Sequence, residues 1–497
     1  MALTSVNVGA SLNIVGSILQ WLAVPLTIPL ATAVLYGEDP VPYLAAIAVA
    51  LAVGTALAQF RREGIYDREA FLAVSLSWLS IALVGAIPFV LEGTGVFASP
   101  VNALFESMSG ITTTGATVVR DFGAHSQGLL MWRQVIQWLG GLGVLLLATA
   151  VLSRLSVAGA QLMETETRTK NVTKLTPAIG ETAQIIVTLY LGLTAAAALL
   201  LGLLGAVGLA PEMTAFDAIA HAFTSIATAG FSPRAESVGA FSPAVQWAII
   251  CIMVVGATNF ILMYAVLRGD VSRLRESDEL HFYLGILGGG SALILGLLVA
   301  NATIAGPEAS VRHAVFQVVS IVTTTGYAST DFNLWSAAAK NVLFVGMFVG
   351  GMAGSTTCSI KSLRWLLVTK SFWRDLNVSA HPRTIRPIRL GGEVVDEQTV
   401  QNVYAYTLVA LVFFILGTVL LIADGERAGA PLTEFEALSA SASTFFNIGP
   451  AFGKAGPYGT YEGFARSSKL LMVLLMWVGR IEIIPVLVLF TPAFWRR

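Results

Sequence analysis

The sequence predicts an all-α integral membrane protein with four tandem membrane–pore-helix–membrane repeats around a pseudo-fourfold pore, preceded by an extra helix pair. Three observations carry that expectation. Of 497 residues, 55% are hydrophobic and only 12% charged, with a mean hydropathy of +0.75; a soluble chain carries roughly twice that charged fraction. Apolar runs of about 20 residues, the length that crosses ~30 Å of hydrocarbon, recur along the chain. Between them sit polar stretches, "GITTTGATVV" around Gly115 and "SIVTTTGYASTDF" from Ser320, where plain helices would need no Thr-Gly loop.

In chain order, candidate spans fall at 12–36 and 42–60 within an N-terminal helix pair, residues 1–66. A first repeat, 67–160, holds spans 70–92 and 129–153; a second, 175–270, holds 182–208 and 242–268. A third, 277–372, holds 279–302 and a long 338–370 segment interrupted by glycines; a fourth, 396–497, holds 401–424 and 467–493. No cleavable signal peptide is expected, because "MALTSVNVGAS" lacks a basic leader and the first apolar run continues to about Leu35. The short connections 61–69, 154–181, 268–280 and 361–400 plus the C-terminal tail hold 19 Lys and Arg, against 6 in the longer segments on the other side. The positive-inside rule then puts both termini in the cytoplasm and the Thr-Gly loops outside.

The four outer segments read "VNALFESMSGITTTG", "FDAIAHAFTSIATAG", "RHAVFQVVSIVTTTG" and "FEALSASASTFFNIG". Twelve residues before each final glycine stands an alanine (Ala103, Ala218, Ala314, Ala437), followed by an aliphatic residue. Six before it stands a hydroxyl (Ser109, Thr224, Ser320, Ser443). Four matches in register with the hydropathy make an internal repeat. Each pre-glycine segment is ~12 residues, too short to cross, and so is expected to re-enter the membrane as a half-helix. Asn102, Asp217, His313 and Glu436 stand near its start, where an acceptor could cap free N–H groups in three of the four.

Non-helical backbone at membrane depth survives only when buried in protein or lining a water-filled cavity. Four such loops around one axis build a ring of backbone carbonyls, which can replace the water of a dehydrating cation without a trapping charge. Glycine permits the φ > 0 backbone that aims them, and half-helix C-termini favour a cation nearby. No ring of carboxylates is present to select divalent ions. The candidate ion-binding residues are Thr113, Thr114, Gly115, Thr228, Ala229, Gly230, Thr324, Thr325, Gly326, Asn447, Ile448 and Gly449.

These loops, with "QWLGGLGVLLLA", "GGMAGST", "HPRTIRPIRLGG" and the terminal "GRIEIIPVLVLFTPAFWRR", resemble the TrkH family of bacterial potassium uptake systems over nearly the whole chain. The extra N-terminal helix pair is absent from the related KtrB family. The resemblance implies K+ as the transported ion, a homodimer with one pore per subunit, and regulation by a cytoplasmic TrkA-like nucleotide-binding ring. It places the protein in the bacterial inner membrane and implies that glycine, rather than serine, at the first filter position favours potassium over sodium. It also implies an intramembrane gating loop at 350–359, with Gly350, Gly351, Gly354, Ser355, Thr356 and Thr357 as gate residues. "GGMAGSTTCSIK" carries Thr357, Cys358 and Ser359 where the family is usually richer in glycine. Arg480 of the "GR-E" stretch is implied to line the pore below the filter; as read, it lies mid-span, where a charge costs at least ~2.5–3.5 kcal/mol on insertion scales. Arg133, Lys340 and Lys469 are expected near outer span ends, within reach of the interface.

The five histidines show no metal-ligand spacing, and no acid, base and nucleophile cluster in the spans, so an intramembrane enzyme is not expected. His221, in the second half-helix, is read as a packed, hydrogen-bonded histidine in preference to a proton-sensitive group, and Asn259 as facing either the cavity or a neighbouring helix. The basic stretch Lys361 to Arg389 is either an ordinary positive-inside flank or a partner-docking segment. Cys251 and Cys358 sit in apolar surroundings. Neither an organic cofactor nor a nucleic-acid partner is expected; membrane lipids are. A sodium- or proton-coupled potassium symporter on the same architecture remains the alternative to a simple conducting pore.

Overall fold

The computed structural model describes residues 6–61, 66–147, 179–383 and 386–496; the basic 154–181 connection falls almost wholly outside them. The chain opens with α1 (Val8–Leu22) and α2 (Thr27–Tyr36), which together make one 29-residue span, and returns through α3 (Val41–Ala58). Asn7 starts α1 by accepting from Ala10 N. α1 and α3 cross at Gly16, where an added Cβ would lie 2.6 Å from the Gly54 carbonyl oxygen. In lipid, close backbone approach through small residues supplies the packing that apolar burial supplies in water.

The first repeat comprises α4 (Asp67–Gly85) continuing into α5 (Ile87–Glu92), the half-helix α6 (Pro100–Ile111) and α7 (Gln127–Leu147). The second comprises α8 (Ile179–Ala206), the half-helix α9 (Ala215–Ile226), α10 (Pro243–Gly256) and α11 (Phe260–Leu267). A short α12 (Ser272–Glu276) leads to the third: α13 (Asp278–Ala300), the half-helix α14 (Pro307–Val322), α15 (Ala337–Gly346) and α16 (Ser362–Ala380). A two-residue antiparallel hairpin, β1 (Arg389–Leu390) and β2 (Glu393–Val394), precedes the fourth. That repeat contains α17 (Glu397–Arg427), the half-helix α18 (Glu434–Phe445), α19 (Arg466–Arg480), α20 (Ile484–Leu489) and α21 (Pro492–Trp495).

Among the described residues, seven helical spans are long and apolar enough to cross a bilayer, and α10–α11 is an eighth, bent by 101°. Three of the ten expected spans are therefore broken, each just past a glycine: after Gly256, after Gly346 and after Gly479-Arg480. Only the break in 338–370 is legible from the sequence, in its run of glycines.

The half-helices have 12, 12, 16 and 12 residues, all too short to span. Their starts match expectation at Glu436, which completes a capping box by accepting from Thr433 N at 2.9 Å, and differ at the other positions. Thr214 and Thr433 are the side-chain caps, accepting from Asp217 N and Glu436 N. Asn102, Asp217 and Glu436 are the third helical residues, and His313 lies deeper in α14. A short acceptor directly before the first helical residue reaches a free N–H better than one already inside the turn.

Every half-helix packs against the second helix of the preceding repeat. α9 rests on α7 and α14 on α10. α18 meets α15 through Phe344–Phe435, ring centroids 5.6 Å apart. α6, in the first repeat, rests on α19 of the fourth, which closes the circle.

Candidate functional site

The four half-helices end alike. The N–H of the residue preceding each glycine (Thr114, Ala229, Thr325, Ile448) donates at 2.9 Å to the carbonyl six residues before that glycine: Ser109, Thr224, Ser320 and Ser443. Two residues before each glycine the backbone is left-handed, at Thr113 (φ 52°), Thr228 (48°), Thr324 (52°) and Asn447 (54°). This is a Schellman-type end with Thr or Asn at the position where glycine is usual. β-branched threonine is strained there, as functional backbone often is.

The glycines themselves have φ of 80°, 85°, 80° and 109°. Their backbones are nested against one another. A Cβ on Gly115 would strike the Ala229 carbonyl oxygen, one on Gly230 that of Thr325, and one on Gly326 that of Ile448. A Cβ on Gly449 would lie 2.7 Å from the Thr114 oxygen, so the sequence of contacts returns to its start. All four glycines line one cavity, with Arg120, Arg234 and Tyr458 further along its wall. All twelve ion-binding candidates are thus brought together.

The ring is braced from behind. Glu106 Oε1 accepts from Arg133 Nε and Thr117 Oγ1, both at 2.8 Å, and its Oε2 accepts from Val118 N at 2.9 Å. Arg133 Nη1 donates to the Ser232 carbonyl at 3.0 Å in the next repeat, and its guanidinium lies 4.1 Å from the Phe231 ring centroid. Arg133 is therefore buried at the ring rather than reaching the interface. Lys469 is likewise held by Asn102 Oδ1 at 2.7 Å and the Glu462 carbonyl at 2.9 Å. Lys340 reaches the Asn333 carbonyl at 3.3 Å. Buried cations of this kind need partners at hand. His221, as expected, is packed and bonded, 2.8 Å from the Asp217 carbonyl and 3.0 Å from Ser232 Oγ. Gln137 spans two repeats, donating to the Ala229 carbonyl at 2.6 Å and accepting from Phe231 N at 2.9 Å.

Beneath the ring, the whole 350–359 segment is buried. It fills the break between α10 and α11: Met352 N donates to the Ala257 carbonyl, Phe260 N to the Gly354 carbonyl, and Asn259 Nδ2 to the Ala353 carbonyl. Asn259 Oδ1 also caps α11. Glu279 Oε1 pins the segment by accepting from Ala353 N, Ser362 Oγ and Leu363 N. Toward the ring, Thr356 Oγ1 meets Thr228 Oγ1 at 2.9 Å and Cys358 N donates to Thr324 Oγ1 at 3.0 Å.

Arg480 is 1% exposed and joins three elements. It donates to the Thr356 carbonyl at 3.1 Å, Cys358 Sγ at 2.6 Å and the Gly140 carbonyl at 2.8 Å. It is not in mid-helix: α19 ends on it, and Glu482 and Ile483 follow at φ 63° and 60°. Glu482 pairs with Arg364 at 2.6 Å, so the nearest acid in sequence is engaged elsewhere.

A second set of glycines was missed. A Cβ on Gly140 or Gly479 would strike the Ile111 or Phe445 carbonyl, one on Gly256 would lie 2.9 Å from the Ile226 oxygen, and one on Gly346 3.4 Å from Ile321. Each seats a half-helix end on the second helix of its own repeat. The signal is an aliphatic-Gly pair in that helix, but its distance from the ring glycine varies from repeat to repeat, so aligning on the ring hides it.

Four re-entrant repeats closing on one ring of backbone define a polytopic membrane transport protein. The sequence matches the TrkH cation transport protein family over residues 43–305 and 291–497, and the chain belongs to that family. It is 33% identical to the Trk system potassium uptake protein TrkH of Halomonas elongata, covering 98% of this chain and 99% of that one. It is 32% identical to Escherichia coli K12 TrkH, covering 90% and 91%. The crystal structure of the potassium transporter TrkH from Vibrio parahaemolyticus superposes with a TM-score of 0.87 at 31% identity, covering 99% of this chain and all of that one.

Proposed function

We propose that this chain carries potassium into the cell across the bacterial inner membrane, through a selective pore built from the backbone of Thr113–Gly115, Thr228–Gly230, Thr324–Gly326 and Asn447–Gly449. The observation that carries the reading is the closed cycle in which each ring glycine abuts a backbone oxygen of the next repeat. Carbonyls fixed in this way replace a monovalent ion's hydration shell without a formal charge to trap it. Half-helix C-termini beneath the ring add partial negative charge. Glycine at all four positions, and relatives named as potassium uptake proteins, favour potassium.

The Gly350–Ser359 segment acts as the gate, and Arg480 latches it by its bonds to Thr356 and Cys358. Since Glu482 is held by Arg364, Arg480 presents a positive charge that opposes a passing cation. Charge asymmetry between the loops supports cytoplasmic termini. The working unit is a homodimer docked on a cytoplasmic TrkA-like nucleotide-binding ring. Purified protein in liposomes should take up rubidium or potassium down a gradient and reject sodium. Folded protein that passes neither ion, or passes sodium equally, overturns this reading.

A further inference from the structure

A groove that the ion pathway leaves unused lies between α16 and residues 386–389. It is lined by Lys370, Trp373, Arg374, Arg386 and Arg389. Its floor is fixed, because Lys370 Nζ donates to Asp278 Oδ2 at 2.6 Å and to the Arg389 carbonyl at 2.7 Å, tying the hairpin to the helix. Lys370 is thereby neutralised by Asp278, and Arg374 by Glu397 at 2.7 Å. Arg386 and Arg389 are both exposed, and among the described residues neither forms an ion pair. Arg389 bonds only the Gly392 carbonyl of its own turn, at 3.0 Å. The groove therefore keeps two uncompensated guanidinium groups.

Its depth is as informative as its charge. The 12-residue half-helices descend about 18 Å at 1.5 Å per residue, which brings the loop beneath them near the bilayer midplane. α16 starts at Ser362, directly after that loop. Trp373 comes 11 residues later, about 16 Å further along the helix axis, a rise equal to half of the ~30 Å hydrocarbon core. Phe372, Trp373 and Leu376 are 57%, 61% and 46% exposed. Aromatic side chains left open at this level suit the headgroup boundary. Exposed apolar side chains and unpaired arginines thus lie side by side at one groove.

We propose that this groove is a binding site for the phosphate of an anionic phospholipid headgroup, with Arg386 and Arg389 as its ligands and Trp373 against the adjoining lipid. Guanidinium forks match phosphate oxygens bidentately. A lipid uses both the arginines and the apolar side chains, whereas free phosphate or an acidic protein surface uses the arginines alone. The site rests on the membrane architecture and not on the ion the ring selects.

The test reconstitutes the full chain in phosphatidylcholine nanodiscs containing graded phosphatidylglycerol and counts retained lipid by native mass spectrometry. The wild-type chain should retain phosphatidylglycerol in preference to phosphatidylcholine. Arg386→Gln/Arg389→Gln should lose about tenfold or more in that preference. Arg386→Lys/Arg389→Lys should keep part of it, and Trp373→Ala should weaken it. Unchanged melting of each variant in lipid-free detergent separates loss of the site from loss of the fold. Equal retention of the two lipids by the wild type, or an undiminished preference in the folded glutamine variant, overturns the proposal. So does displacement of the lipid by millimolar inorganic phosphate, which would mark a soluble-anion site, or strict dependence of anion retention on an acidic protein partner.

Discussion

Glu106 and Arg133 meet at 2.8 Å, Oε1 to Nε, with side chains 0% and 1% exposed. The pair joins a half-helix to the second helix of its own repeat, and Arg133 continues to the Ser232 carbonyl of the next. It holds the outer wall of the ring where two repeats abut.

Removing one member strands the other charge in a dry site, at a cost of about 3–5 kcal/mol. Glu106→Ala should therefore lower the thermal midpoint of the purified protein sharply and loosen ion discrimination in whatever remains folded. A variant that melts with the wild type would show that water or another group takes up the arginine.

At Gly115, a side chain meets the Ala229 carbonyl oxygen and must also adopt φ 80°. Strain of about 1–3 kcal/mol is typical of such backbone, small enough for the protein to fold. Gly115→Ser should lose discrimination against sodium while still conducting. Potassium-to-sodium permeability ratios equal to the wild type would count strongly against the ring as the selective element.

Arg480→Ala removes bonds to Thr356, Cys358 and Gly140 together. Flux through proteoliposomes should rise with selectivity intact, because no ring residue is touched. Shortening the 350–359 segment should act in the same direction. Folded variants that conduct no faster would reduce both features to packing.

Asn259 both caps α11 and holds the Ala353 carbonyl at 2.8 Å. Loss of a cap costs about 1 kcal/mol, equivalent to about fivefold in an equilibrium constant. Asn259→Ala should raise basal flux by up to about that factor, read in proteoliposomes holding this chain alone. No change would disconnect the α10–α11 bend from the segment it cradles.

The repeat was legible because four loops share one register: alanine, aliphatic, hydroxyl and glycine recur at fixed distances from the ring. Hydropathy gave the spans but not their breaks, because an apolar run reads the same whether its helix is continuous or bent at Ala257–Asn259. Arg480 was misplaced for that reason, since the left-handed residues Glu482 and Ile483 carry no turn signature. Glu106 and Glu279 escaped, and Arg133 was assigned to the interface, because a buried charge is recognised by its partner, and Glu279 finds Leu363 N 84 residues away. The threonines at the ring were legible but their left-handed backbone at Thr113, Thr228 and Thr324 was not, because threonine's preferences point away from it.

The cycle of contacts also bears on how the protein is made. Gly449 abuts Thr114, and α6 rests on α19, so the first loop finds its last neighbour only after almost the entire chain has been synthesised. During translation the nascent ring is an open arc with one unmatched edge, held in the bilayer by helices already inserted. Chains truncated before the fourth repeat cannot close that arc, and so should be substrates for membrane quality control rather than smaller working pores.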